Sequence, residues 1–190
     1  MKSHVDKKIL GFDMDGVLVD HNPLKLKIVK NMGYKIKLAD TPSEIIRRML
    51  SPEDLKTMQI ALYHDQKMSL GAELMPGLTG LLDKIRSKNT SYFLISRRSE
   101  PDIAVRLLRA RGLWPKYFNE QNAFFVITPE DKNTKATELG VTHYVDDETK
   151  VLAVLTDVPN KFLFDHLKVF PEHDSYTKVA SHQELTEYFL

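Results

Sequence analysis

The stretch KKILGFDMDGVLVD, residues 7–20, decides how the rest of the chain is read. Ile9, Leu10 and Phe12 form a short apolar run of the kind that makes a buried strand, and it delivers Asp13 and Asp15 to its C-terminal end just ahead of Gly16. Open α/β sheets bind their ligands beyond the C-terminal ends of the strands. Residues two apart in an extended chain face the same side, so both carboxylates address one small site. There they repel unless a cation intervenes or one of them holds a proton. That pairing suits a nucleophile beside an acid/base group, or a magnesium site. An isolated Asp-x-Asp is more commonly a turn; the remainder of the chain reverses that reading.

Further short apolar runs follow at Tyr92–Ile95, Phe124–Ile127, Tyr144–Val145 and Phe162–Phe164, with amphipathic segments between the later ones. The alternation predicts an α/β fold, a three-layer Rossmann-like parallel sheet with crossover helices. Pro101–Arg111 reads as a helix that begins after Ser99 and stops at Gly112. A second helix ends at Gly140, and a third follows Ser181 with Glu184 closing a capping box. About 80 residues separate Asp15 from Tyr92, too many for a single crossover. Thr41-Pro-Ser-Glu44 and Ser51-Pro-Glu-Asp54 both show an N-cap, a proline at the first helical position and an acidic third residue, so two helices are expected to start there. The predicted organisation is a small helical cap over 21–75 and a core over 1–20 and 76–190. The core resumes at Met75-Pro-Gly-Leu with a helix whose apolar face is Leu78, Leu81, Leu82 and Ile85.

The chain has 190 residues, 42% hydrophobic residues, a formal net charge of +1 and no cysteine. It can fill one core without staples, and it excludes disulfides, thiolate metal sites and a cysteine nucleophile. The polar start MKSHVDKK and the lack of a long apolar run lead us to expect a soluble cytoplasmic protein that meets neither membrane nor nucleic-acid polymer. The seven histidines form no HExxH or close pair, which argues against zinc. Residues 25–48 carry seven Lys/Arg against two acids, the pattern of a solvated helix face or of an anion-attracting surface.

Each later strand ends in a residue useful for phosphoryl chemistry: Ser96, then Lys132 just after the third strand, then Asp146-Asp147. The ordered set resembles the haloacid dehalogenase (HAD) superfamily over nearly the whole chain. Asp13-Met-Asp15-Gly-Val is similar to its first motif, Leu94-Ile-Ser96 to the second, Lys132 to the third and Val145-Asp146-Asp147 to the fourth. The insert corresponds to what the family calls a C1 cap, and the second aspartate, Asp15, separates its phosphatases and phosphomutases from its dehalogenases.

That resemblance implies roles. Asp13 would attack phosphorus and form an aspartyl phosphate, while Asp15 protonates the leaving oxygen and then deprotonates the hydrolytic water. Mg²⁺ would bind Asp13, Asp15 through its backbone carbonyl, Asp146, and Asp147 directly or indirectly, and Ser96 and Lys132 would hold the remaining phosphate oxygens. Lys135, one turn on, competes with Lys132, and either of Asp146 and Asp147 can be the primary ligand. Arg97 departs from the commonest pattern after the second motif and is either a substrate contact or a solvated side chain. Asp20, His21 and Asn22 stand at the hinge where relatives contact substrate.

The leading expectation is a Mg²⁺-dependent phosphomonoesterase of a small phosphorylated metabolite. FDMDGVLVD, the small cap and the segments Phe162-Leu-Phe-Asp165 and Ser181-His-Gln-Glu-Leu resemble the 5'(3')-deoxyribonucleotidase branch, which implies a nucleoside monophosphate. A sugar-phosphate phosphatase, a phosphomutase and a catalytically silent HAD binding module are the alternatives. A signalling receiver domain fits poorly, because here an Asp pair follows the lysine and a long insert follows the first strand.

Overall fold

The computed structural model describes residues 7–190; residues 1–6, on which most of the reading of the polar start rests, lie outside them. β1 (Ile9–Phe12) leads through a tight turn into β2 (Val19–Asp20). A helical insert follows, made of α1 (Asn22–Asn31), a 3₁₀ turn at Leu38–Asp40, α2 (Ser43–Ile46), α3 (Pro52–Tyr63) and α4 (Gln66–Ser69). β3 (Glu73–Leu74) returns antiparallel to β2, pairing Val19 with Leu74, so the insert leaves and re-enters through one two-stranded neck. The remaining elements alternate: α5 (Leu78–Ser87), β4 (Ser91–Arg97), α6 (Pro101–Ala110), β5 (Ala123–Val126), α7 (Pro129–Glu138), β6 (His143–Asp146), α8 (Thr149–Val154), β7 (Asn160–Phe164), β8 (Thr177–Val179) and α9 (His182–Phe189).

The main sheet has six strands in the order β5-β4-β1-β6-β7-β8, all parallel where paired. β1 therefore lies between β4 and β6, and their C-terminal ends bring the second and fourth sequence motifs to either side of Asp13. Alternate residues of these strands face opposite ways. Phe12, Leu94, Val145 and Phe162 pack with α5, α6 and α9 through Leu82, Leu107, Leu185 and Phe189, whereas Ile95, Tyr144 and Leu163 pack with α7 and α8 through Ala136, Val151 and Leu152. This gives the three layers expected. A Cβ on Gly11 would sit 2.4 Å from the Tyr144 ring, so glycine at the centre of β1 is what lets that tyrosine cross beneath it and donate to the Ile95 carbonyl at 2.6 Å.

The insert has its own apolar cluster of Ile28, Val29, Ile36, Ile46, Leu50, Met58 and Leu62. Ser51 caps α3 as expected, accepting from the Asp54 N–H at 3.1 Å. Thr41 does not cap α2. Its hydroxyl donates to the Leu38 carbonyl and to Asn22 Oδ1, so Pro42 precedes the helix with no side-chain cap, and α2 is only one turn long. α6 starts at Pro101 as expected, and Glu100 precedes it without a side-chain cap. The sequence reading also missed β8, whose three residues carry too little alternation to stand out. Among the described residues, no helix is long and apolar enough to cross a membrane.

Candidate active site

Beyond the C-terminal ends of β1, β4 and β6 lies a cleft of about 430 Å³ between the sheet and the insert. Asp13, at the end of β1, is buried. Its backbone N–H still donates to the Val145 carbonyl at 2.9 Å, which extends the β1–β6 ladder by one residue and fixes the direction of the side chain. One carboxylate oxygen accepts from the Asp15 N–H at 3.0 Å, and the other accepts from the Lys132 ammonium at 2.6 Å.

Lys132 reaches this point because α7 is firmly started. Thr128 and Asp131 form a reciprocal capping box, and Lys132 follows in the first turn with only 2% of its surface exposed. The ammonium also donates to Asp146 Oδ2 at 2.7 Å. Burial alone would lower its pKa, yet Asp13 and Asp146 outweigh burial and hold it well above the usual lysine range. Lys135 lies elsewhere, paired with Glu138 on the outer side of α7 and stacked near Phe124. The alternative between the two lysines is thus decided in position: Lys132 lines the cleft.

Asp13, Asp146 and Asp147 each offer a carboxylate oxygen within 4.8 Å of the others. Gly16 makes room for this, since a Cβ there would lie 2.3 Å from Asp147 Oδ2, and its φ of +80° is one that glycine adopts freely. Burial pushes Asp146 up to about 7, opposed by Lys132 and reinforced by Asp13. Enclosure, then repulsion from Asp146 and Glu148, pushes Asp147 well above the usual carboxylate range. A single lysine does not neutralise three carboxylates, and an all-oxygen set short of positive charge fits a hard divalent cation such as Mg²⁺. The Asp15 carboxylate is not in this set; the sequence assignment placed only its backbone carbonyl there.

The Asp15 side chain turns to Arg98, whose Nη2 donates to Oδ1 at 2.5 Å, and to His21, whose Nε2 lies 2.7 Å from the same oxygen without an aligned hydrogen bond. Burial opposes ionisation of Asp15, but Arg98, His21 and Lys25 together hold its carboxyl well below the usual range. Arg98 was missed in the sequence, although it stands next to the singled-out Arg97. It is buried, and its guanidinium lies 4.3 Å from the centroid of the Tyr63 ring, the last residue of α3. Arg97 itself pairs with Glu148 at 3.3 Å, as Arg47 of the insert does at 3.4 Å. The Ser96 hydroxyl is buried without a hydrogen-bond partner among the described residues, and Ser96 is not one of the residues that line the cleft.

The hinge residues do not line the cleft. His21 and Asn22 are buried, and Asn22 binds the Thr41 hydroxyl through Oδ1, while Asp20 Oδ1 accepts the Asn22 N–H. The insert instead presents Lys25, Ser43, Ile46, Arg47, Leu55, Met58, Gln59 and Tyr63. Nor is the basic segment simply a solvated face, for Lys25 is only 4% exposed.

No protein-family model and no curated protein sequence matches the chain. Solved structures do. A candidate β-phosphoglucomutase from Thermotoga maritima superposes with a TM-score of 0.64 at 18% identity, over 96% of this chain and 100% of that one. A HAD family hydrolase from Deinococcus radiodurans R1, solved with bound phosphate and sodium, gives 0.62 at 16% identity over 94% and 93%. A HAD-superfamily hydrolase of subfamily IA from Geobacter sulfurreducens PCA gives 0.59 at 16% over 96% of each chain. Similarity at such identities establishes the fold alone: the chain shares the fold of these three structures.

Proposed function

We propose that the chain is a metal-dependent phosphoryl-transfer enzyme of the HAD type, a phosphatase or phosphomutase that works through an aspartyl phosphate on Asp13. The observation that carries the reading is the Asp13–Lys132–Asp146 arrangement at 2.6 and 2.7 Å on the floor of a cleft at the strand ends. An Asp13 oxygen forms the new bond to phosphorus as the bond to the ester oxygen breaks, and Lys132 and the Ser96 hydroxyl hold the non-bridging oxygens. Asp13, Asp146 and Asp147, with the Asp15 carbonyl, would hold Mg²⁺, which would supply positive charge next to the transferring phosphoryl group. Asp15, kept ionised by Arg98 and His21, is set to take a proton from the water or hydroxyl that attacks the aspartyl phosphate. To give a proton to the leaving oxygen it must first be released from Arg98. The insert acts as a C1-type cap over residues 21–75.

Among substrates, a sugar phosphate has the better support, because candidate β-phosphoglucomutases are among the similar structures; a preference for nucleoside monophosphates has none. The deciding experiment is a panel of hexose, pentose and nucleoside monophosphates, assayed for released phosphate and for positional isomers, in Mg²⁺ and in EDTA. We expect turnover of sugar phosphates in Mg²⁺ alone. Undiminished turnover in chelator, or none of any phosphate ester in Mg²⁺, would overturn the reading.

A further inference from the structure

Six basic side chains line the cleft, and five of them already have carboxylate partners: Lys132 with Asp13 and Asp146, Arg98 with Asp15, Arg97 and Arg47 with Glu148, and His64 with Glu100. Lys25 differs. It comes from α1 of the insert, is 4% exposed, and makes no ion pair among the described residues; its ammonium donates to one neutral group, Ser43 Oγ, at 2.9 Å. An ammonium has three donors, so two remain to be met. Burying such a charge costs more than one hydrogen bond to a hydroxyl returns, which makes Lys25 a poor choice as framework. Burial pushes its pKa down, while Asp147, then Asp15 and Glu148, pull the other way, so the carboxylates of the floor form its electrostatic surroundings without touching it.

We propose that Lys25 is a substrate-contacting residue, an ammonium carried by the insert that grips an oxygen of the phosphoryl group attacked at Asp13. The proposal rests on the phosphoryl-transfer reading above and adds a residue that none of the four sequence motifs contains. A phosphate dianion entering a floor of carboxylates needs donors that are not already spent on those carboxylates, and Lys25 has them. Because it rides on α1, the grip exists only while the insert is seated on the core, so the neck between β2 and β3 controls the chemistry as well as access.

The test uses Lys25→Met and Lys25→Gln in Mg²⁺ buffer, with three readouts: affinity for inorganic phosphate by calorimetry, kcat and KM for a small aryl phosphate, and the thermal midpoint. We expect phosphate affinity to fall about tenfold or more, kcat/KM to fall about 10²-fold, and the midpoint of Lys25→Met to hold or rise because an unpaired buried charge is gone. Unchanged phosphate affinity and kcat/KM in an active protein overturn the proposal and leave the enzymatic reading standing. A lowered midpoint with unchanged phosphate affinity, or failure of both variants to fold, assigns Lys25 to the framework and also overturns it. If the wild type turns over no phosphate ester but binds orthophosphate in a Lys25-dependent way, the enzymatic reading fails and the grip stands. Absence of phosphate binding by the wild type overturns both.

Discussion

Two lysines are buried in the cleft, one from the core and one from the insert, and they are satisfied differently. Lys132 is held between two carboxylates at 2.6 and 2.7 Å; Lys25 has one hydroxyl at 2.9 Å. The core lysine holds two of the three aspartates, Asp13 and Asp146, together, so the floor of the site is assembled before any ligand arrives. The insert lysine spends stability on a charge that only a ligand can answer. On the proposed function the floor is preorganised for the phosphoryl group, and on the Lys25 proposal the insert contributes what is completed on binding.

The sharpest way to break the floor is Asp13→Asn. The amide keeps the shape and the hydrogen bond from the Asp15 N–H, but it cannot accept a phosphoryl group; we expect turnover at background with a native circular dichroism spectrum, and activity near wild type would end the assignment of Asp13 as nucleophile. Lys132→Met tests the other half of the contrast. It leaves Asp13 and Asp146 buried against each other, and we expect a loss of about 3–5 kcal/mol in denaturant unfolding, where Lys25→Met loses none. Equal stability of the two variants would erase the distinction between the lysines.

A third buried group shows how the same problem is solved without a ligand. His182, fully buried in α9, binds the Pro76 carbonyl through Nδ1 at 3.1 Å and lies tilted against the Phe164 ring with centroids 4.7 Å apart; burial lowers its pKa to about 4. It stays neutral instead of finding a counter-ion. The unfolded chain takes up this proton near pH 6.5 and the folded protein only near 4, so between those values the unfolded state binds more protons and stability is lost as the pH is lowered. The expected decline is about 3 kcal/mol over that window. His182→Gln should remove that part of the pH dependence; an identical pH profile would refute the assignment. The smallest expected effect lies at the seam between core and insert, where Glu44 of α2 accepts from Thr149 Oγ1 at 2.9 Å and from the Lys150 N–H at 3.0 Å at the start of α8. Glu44→Gln should cost about 1 kcal/mol and raise KM more than it lowers kcat; the reverse split would place Glu44 with the floor.

The residues of the floor were legible because the chemistry of each is local to a strand end. An apolar run followed by Asp13 and Asp15, an Asp pair at a later strand end, and a lysine after Thr128-Pro-Glu-Asp131 state both the strand and the group it delivers. The insert was legible as helices but not as a wall. Tyr63 meets Arg98, and Arg47 meets Glu148 across 101 positions of sequence, and no period or spacing relates the partners. The hinge residues His21 and Asn22 were read toward the substrate, whereas packing turned them into the neck.

By itself the sequence determined the parallel sheet and the ends at which the carboxylates stand, because hydrophobic period, turn residues and strand-end motifs are properties of neighbours along the chain. The tertiary structure alone decided which lysine reaches Asp13, that Asp15 is held by Arg98 and His21, and that Lys25 is buried at the site without a counter-charge. Those depend on which side of a helix faces the cleft and on charges brought together through space, and burial is a property of the packed molecule that no local segment carries.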